Sequence, residues 1–360
     1  MKEKNGKPSG GRNRLIWSIL FFVIAALSVW AVTSQAKEFS PAKFLEYLTR
    51  NNPWWLTAAV LSMLSYIFFD ALMIKTLLRD FGYPRDLPKC LSYASADIYF
   101  SAITPSGTGG QPMEAYFMFV DGVPGAISTA VVMTYLLFYT LSIVIVGLLS
   151  FVFVPGAFLS FGTFGRLLII VGALIQTSLA VFYGLILWKK KLLLGICDWG
   201  LRVAGKLHFV KNLDEKREKL KNAMDQYSEA TSMLRGRRKL MLKTLLFNLI
   251  HRLSQMLVSV FCFLAGGGAL RDAPFLLAMQ SNVVIGSSSI PTPGAMGVTD
   301  YLMINGFSSI MSPEQSANLE LLSRTTSFYV CVLICGAIVL IKTALIRIRK
   351  SKAEKTSAGS

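Results

Sequence analysis

Charged side chains are scarce in this chain, where Asp, Glu, Lys and Arg make up 16% of the 360 residues. A typical soluble domain carries about 25%. Histidine is nearly absent, with only His208 and His251, so the sequence offers no His-rich metal site. These shortages exclude an ordinary soluble enzyme, a disordered chain and a coiled coil. Hydrophobic residues make up 53% of the chain, which is typical of a protein that crosses a membrane several times.

Acidic residues are few beside basic ones, at 20 against 37, and the net charge is +17. Nearly all of this excess lies in three segments: residues 1–14 carry +4, residues 189–243 carry +9 and residues 342–360 carry +5. Basic segments of membrane proteins face the cytoplasm. No aromatic residues alternate with these charges in a nucleic-acid motif, so we predict a membrane as the partner and no nucleic acid.

Cysteine is also infrequent, and the five cysteines are an odd number. Cys331 and Cys335 lie four residues apart, which is one helical turn and not the C-x-x-C spacing of redox sites. We expect small buried core residues, and we predict no disulfide, no structural metal and no cofactor.

Long apolar runs are what the chain has in abundance. A helix needs about 20 apolar residues to cross a bilayer, and six runs qualify. With six crossings, both termini and the basic loop 189–240 fall on the cytoplasmic side. The predicted spans are Leu15–Thr33, Trp54–Leu78, Ala126–Val154, Arg166–Trp188, Met241–Ala265 and Leu321–Ile346.

Two further apolar stretches are interrupted by proline and glycine. The stretch at about 89–121 contains TPSGTGGQPME, and the stretch at about 273–310 contains SSIPTPGAMGVTD. Each half is too short to span a bilayer, so we predict two re-entrant helical hairpins, the first entering from the cytoplasm and the second from outside. The alternative is that proline and glycine only kink ordinary helices.

The two halves of the chain repeat one order of elements in opposite orientation: two spans, a hairpin and a span. The breaks align as Gly107-x-x-Gly110 and Gly294-x-x-Gly297. Inverted repeats with broken helices are a common plan of transporters, so we predict an all-α polytopic membrane protein with this symmetry. The predicted regions are a basic cytoplasmic tail at 1–14, a first membrane repeat at 15–154, a second membrane repeat at 166–346 and a basic cytoplasmic tail at 347–360.

The motifs at these breaks resemble a known family. The string from Thr104 to Tyr116, TPSGTGGQPMEAY, and the string from Ile290 to Gly297, IPTPGAMG, are similar to the lysylphosphatidylglycerol synthase transmembrane family. This family is the flippase-like membrane region of the multiple peptide resistance factor, and it also occurs as stand-alone proteins. The resemblance covers about Leu15 to Ile346, with Ala295 and Asp300 standing where other members often carry glycine and glutamate.

The resemblance implies a multi-pass protein of the bacterial inner membrane that moves lipids between leaflets. Full-length resistance factors also carry a soluble domain that transfers lysine to phosphatidylglycerol. Only 14 residues follow the last predicted span, so we expect no lysyltransferase activity, although that is the enzyme activity that family membership would suggest. A second alternative is a scaffold acting through the loop 189–240, whose segment Lys211–Arg238 we expect to be a solvated helix near lipid headgroups.

Ionisable residues inside apolar helices are the best pointers to a site, because each costs about 2.5–3.5 kcal/mol at a helix centre. Arginine pairs bidentately with phosphate, and helix N-termini at the breaks attract anions. We expect a phospholipid or a polyprenyl-phosphate lipid as the ligand, and the sequence leaves open a homo-oligomer. The alternative is that these charges pair with each other and hold the bundle together. The candidate headgroup-binding residues are Asp70, Asp97, Ser106, Gly107, Gly109, Gly110, Gln111, Glu114, Arg252, Pro293, Gly294, Gly297, Asp300 and Arg324.

Overall fold

The structure is a computed structural model that describes residues 49, 51–104, 107–189, 195, 213–288 and 297–358. The predicted first span and the tail 1–14 lie outside these residues, as do Ser106, Pro293 and Gly294. Every regular element within the described residues is a helix. In chain order they are α1 (Pro53–Asp80), α2 (Leu87–Ile103), α3 (Gly110–Val120), α4 (Gly125–Phe153), α5 (Pro155–Leu159), α6 (Thr163–Trp188), α7 (Leu213–Ser232), α8 (Arg238–Ala265), a 3₁₀ turn (Leu270–Asp272), α9 (Ala273–Ser287), α10 (Val298–Phe307), α11 (Pro313–Arg324), a π-helical turn (Thr325–Val330) and α12 (Cys331–Ala358).

Five of these helical segments are long and apolar enough to cross a membrane: α1, α4, α6, α8 and the continuous segment Pro313–Ile348. They coincide with the last five predicted spans. The final segment begins earlier than the predicted Leu321, because Ser312 and Gln315 form a capping box and Pro313 occupies the first turn. It also continues to Ala358, so most of the predicted tail 347–360 is helical.

The first interrupted stretch forms a helix, a break and a second helix, as predicted. The second contains two short helices, and residues 289–296 between them lie outside the described residues. The halves contain 17 and 11 residues in α2 and α3, and 15 and 10 residues in α9 and α10. Each is shorter than the roughly 20 residues that a bilayer requires. Helix α2 stops at Thr104, which is extended as expected for a residue before proline. Gly107 and Gly297 adopt φ values of 65° and 79°, a region that favours glycine.

The two halves pack on each other in a matching way. Helix α1 pairs with α8, helix α2 packs on α12, and helix α9 packs on α4. Gly336 of α12 lies against the ring of Tyr99, and Gly147 of α4 lies against Ile285. Tyr99 and Ile285 hold the same position in their helices, twelve residues after Leu87 and Ala273. The contact of α2 with α12 therefore has a counterpart in the contact of α9 with α4.

Helix α7 lies within the segment predicted to be a solvated helix. That expectation is wrong for the C-terminal part of the helix, where Tyr227, Ala230 and Thr231 are buried. Tyr227 and Ala230, with Leu234 just beyond the helix, join the same apolar cluster as residues of α4. The apolar stripe therefore packs against the bundle, which offsets the cost of ordering this segment.

Candidate functional site

A cavity of about 590 Å³ with polar and apolar walls lies between the helices of the bundle, a volume suited to a small ligand or a lipid headgroup. Residues at both interruptions line it: Gly107 and Thr108 between α2 and α3, and Ser288 and Thr299 at the ends of α9 and α10 that flank the second break. The described helices α1, α2, α3, α4, α6, α8, α9, α10 and the final helical segment contribute lining residues. Five predicted site residues line the cavity, namely Asp97, Gly107, Gln111, Arg252 and Arg324.

Arg252 of α8 is the most informative of these residues. Its side chain is only 3% exposed, and its Nη1 donates to Gln255 Oε1. Its guanidinium carbon lies 4.3 Å from the centre of the Tyr139 ring, a cation–π contact that holds the group in place. Nε and Nη2 have no acceptor within hydrogen-bonding distance among the described residues. A fixed cation with unpaired donors, on a residue that lines a cavity, is suited to binding an anion.

His251, the neighbour of Arg252, serves packing. Its Nδ1 lies 2.8 Å from the Tyr66 carbonyl oxygen, and its ring stacks on the Tyr66 ring with centres 4.0 Å apart. Tyr66 also lines the cavity. The contact joins α8 to α1 beside the site and so fixes the direction in which Arg252 leaves its helix.

At the first break, Asp97 lines the cavity and accepts a hydrogen bond of 3.3 Å from Ser101 Oγ. Gly110, the first residue of α3, lies directly against both residues, and a Cβ there would overlap Asp97 Oδ1 and Ser101 Oγ. Gly110 thus permits the close approach of α2 and α3. Gly109 serves the turn itself, since its N–H donates to Thr104 Oγ1 at 2.9 Å. Neither glycine lines the cavity.

Asp70 and Glu114 are buried beside the cavity without lining it. Their side chains are 2% and 1% exposed, and none of their carboxylate oxygens has a donor within hydrogen-bonding distance in the described part of the chain. Their charges interact with each other and with Asp97. The three acids therefore belong to one region of the protein, on one side of the cavity.

At the second break the charges pair with each other. Arg324 Nε donates to Asp300 Oδ1 at 2.6 Å and to Glu320 Oε1 at 3.3 Å. Asp300 Oδ2 accepts from the Gly297 N–H at 2.8 Å, which satisfies an open donor at the start of α10. The pair thus joins α10 to α11, which is the structural role that the sequence left as an alternative, while Arg324 also reaches the cavity wall.

Sequence reasoning missed several polar residues of the cavity wall. Gln176 of α6 and Gln280 of α9 line it, and the Oε1 of each has no donor among the residues described. The tyrosines Tyr66, Tyr135 and Tyr139 also line it. Amides inside apolar helices are costly unless satisfied, so Gln176 and Gln280 could have been found by the same reasoning as the charges.

The described residues contain no group of three His, Cys, Asp or Glu side chains that could hold a metal ion. Cys90, Cys262, Cys331 and Cys335 are buried free thiols.

Comparison with known proteins gives two matches. The family model for the lysylphosphatidylglycerol synthase TM region matches residues 15–335. A UPF0104 membrane protein of Pyrococcus horikoshii is 21% identical over 306 residues, which cover 82% of this chain and 89% of that protein. No solved structure gives a significant match. With several helices able to span a membrane and a family match over most of its length, the chain is a multi-pass membrane protein that belongs to the lysylphosphatidylglycerol synthase TM region family.

Proposed function

We propose that this protein moves a lipid between the leaflets of the membrane, and that the lipid carries a phosphate in its headgroup. Anionic phospholipids, aminoacylated phospholipids and polyprenyl-phosphate carriers share this group. The observation that carries the proposal is Arg252, a buried cation that lines a cavity of about 590 Å³ and has two nitrogens without an acceptor among the described residues. Phosphate matches a guanidinium in charge and geometry.

The position of the cavity favours a lipid over a soluble anion. Apolar side chains of α6 are exposed along the whole helix, as expected for a surface that faces acyl chains, and they include Phe164, Leu167, Leu174, Val181 and Leu185. Gln176 and Tyr183 of the same helix line the cavity. A headgroup in the cavity with its tails along this helix would keep both parts of a lipid in suitable surroundings.

The proposed topology has six spans, two re-entrant hairpins that enter from opposite sides, and an inverted repeat, with both termini in the cytoplasm of a bacterium. Support comes from the basic segments, which lie on one side in this arrangement. Further support comes from the matching packing of α2 on α12 and α9 on α4. In such repeats the substrate site lies between the halves, where this cavity lies.

Exchange in reconstituted vesicles tests the proposal. Purified protein is incorporated into vesicles containing fluorescent phosphatidylglycerol, and a membrane-impermeant quencher reports the movement of the label between leaflets. We expect Arg252→Gln to slow exchange by about tenfold or more, because a hydrogen bond to a charged group contributes about 1.5–3 kcal/mol. Arg238→Gln is the matched control, since it makes the same change at an exposed position of the same helix. Equal rates for wild type and Arg252→Gln would contradict the proposal.

A further inference from the structure

Asp70 and Glu114 are buried acids, and the proposed binding of a phosphate does not explain why they are buried. Neither lines the cavity, both are at least 98% buried, and all four carboxylate oxygens lack a donor among the described residues. A buried carboxylate without a partner costs several kcal/mol, and it binds a cation or a proton to remove that cost. Within the membrane such residues are typical of ion and proton pathways.

Asp97 connects these two acids to the cavity. Asp97 lines the cavity, and its charge interacts with those of Asp70 and Glu114. The close contact of Gly110 with Asp97 orients α3, and Glu114, four residues further along, lies on the same face of that helix. The three carboxylates therefore extend from the cavity wall into the interior of the bundle.

The surroundings of these acids contain few compensating charges. The other titratable groups that interact with Asp70 or Glu114 are Tyr66, Cys90, Tyr135, Arg252, Cys331 and Cys335. Arg252 is the cation among them, and it acts on Asp70 without a hydrogen bond. Because the described residues contain no cluster of three ligands that could hold a metal ion, a proton suits these carboxylates better than a metal.

We propose that Asp70 and Glu114 bind protons that reach them from the cavity through Asp97, and that proton movement is coupled to lipid movement. This inference rests on the proposed binding of a lipid phosphate at Arg252. A hydronium ion in the cavity gives its proton to a carboxylate oxygen, leaving water and a neutral acid. Release on the other side returns the proton to water and restores the carboxylate.

Arg252 supplies the coupling between the two ligands. Its charge interacts with that of Asp70, and a cation near a carboxylate opposes the binding of a proton. A bound phosphate neutralises Arg252, so Asp70 then takes up a proton more readily, and by reciprocity a bound proton strengthens phosphate binding. One anionic phospholipid and one proton together carry no net charge, so the coupled step does not move charge across the membrane.

The test uses the full chain in vesicles of phosphatidylglycerol and a zwitterionic lipid, with a trace of fluorescent phosphatidylglycerol. A gradient of about one pH unit is imposed while potassium and valinomycin clamp the membrane potential. If one proton moves with each lipid, the amounts of label in the two leaflets of wild-type vesicles should differ by up to about tenfold. A protonophore should return it to an equal distribution.

Variants assign this effect to the acids. Glu114→Gln and Asp70→Asn keep the volume of the side chain but cannot bind a proton at a carboxylate. In vesicles with either variant, the label should still move between leaflets, but it should reach an equal distribution despite the pH gradient. Glu218→Gln, the same change at an exposed position of α7, should keep the unequal distribution. Thermal unfolding of each variant checks that it is folded, and the wild-type result stands without any variant.

Each contrary result has a separate meaning. An equal distribution in wild type under the pH gradient, or a response to a sodium gradient instead, would overturn proton coupling and leave lipid translocation standing. If folded Glu114→Gln and Asp70→Asn distribute the label as unequally as wild type does, the assignment of proton coupling to these two acids is overturned. No movement of label by wild type would contradict the proposed function, and the coupling with it.

Discussion

The two broken segments have the same order of elements but treat their charges differently. At the second break, Asp300 pairs with Arg324 and also caps α10. At the first break, Asp97 accepts a hydrogen bond from the Ser101 hydroxyl and interacts with the Tyr135 hydroxyl, but not with a cation. Glu114 has no donor among the described residues. Ion pairing beside the first segment occurs instead at its far end, where Lys342 Nζ lies 2.5 Å from Asp121 Oδ2.

This difference distinguishes charges that hold helices together from charges that can bind a ligand. A paired charge in the interior stabilises an arrangement of helices, whereas an unpaired one lowers stability unless a ligand compensates it. The second break is therefore the better-fixed part of the site, and the first break, together with Arg252, carries the charges that a ligand can satisfy. The predictions below test this contrast.

The largest effect is expected from Gly110→Ala. Its Cβ would overlap Asp97 and Ser101, so α3 cannot keep its position against α2, and we expect loss of folded protein or of several kcal/mol of stability. Gly297→Ala at the second break is the matched change. Its Cβ meets no described residue within 4 Å, and the positive φ costs about 1–3 kcal/mol. Size-exclusion chromatography and thermal unfolding compare the two, and equal stabilities would remove the proposed role of Gly110.

Arginine replacements should have opposite consequences for stability and for exchange. Arg324→Gln leaves Asp300 and Glu320 without their cation, so we expect a loss of about 3 kcal/mol in the free energy of unfolding. Arg252→Gln removes a cation that has one hydrogen bond to a side chain, so stability should change little while lipid exchange falls. Thermal unfolding measures the difference. A larger loss of stability in Arg252→Gln than in Arg324→Gln would reverse the roles assigned to the two residues.

Asp121→Asn should have the smallest effect, and the effect should depend on pH. Burial raises the pKa of Asp121, but the hydrogen bonds from Lys342 and Tyr93 and the nearby positive charges outweigh it, so the pKa is lowered overall. A lowered pKa contributes stability above the unfolded value of about 3.9, and this contribution disappears as the pH falls below it. We expect the advantage of wild type over Asp121→Asn, about 1 kcal/mol, to decrease as the pH falls below about 4, as measured by thermal unfolding. An advantage that persists unchanged at pH 3 would contradict this.

The sequence predicts the helices better than it predicts the site. Proline and glycine act on the local backbone, so both breaks could be located from the positions of these residues. Five spans could be located from the length of the apolar runs. Arg252 and Arg324 look alike in the sequence, each an arginine in an apolar run. Only packing shows that Arg324 has carboxylate partners, whereas Arg252 has none among the described residues. Gly110 and Gly297 likewise hold corresponding places, yet one is enclosed and the other open. The cavity depends on contacts between distant helices, which local patterns do not specify.

Lipid retention by the purified protein is the most direct test of the central claim that Arg252 binds a lipid phosphate. Wild type, Arg252→Gln and the control Arg238→Gln are extracted in mild detergent, and native mass spectrometry identifies the lipids that remain bound. The account predicts a phosphate-bearing lipid on wild type and on Arg238→Gln, with retention reduced about tenfold in Arg252→Gln. Equal retention of the same lipid by all three proteins would contradict it.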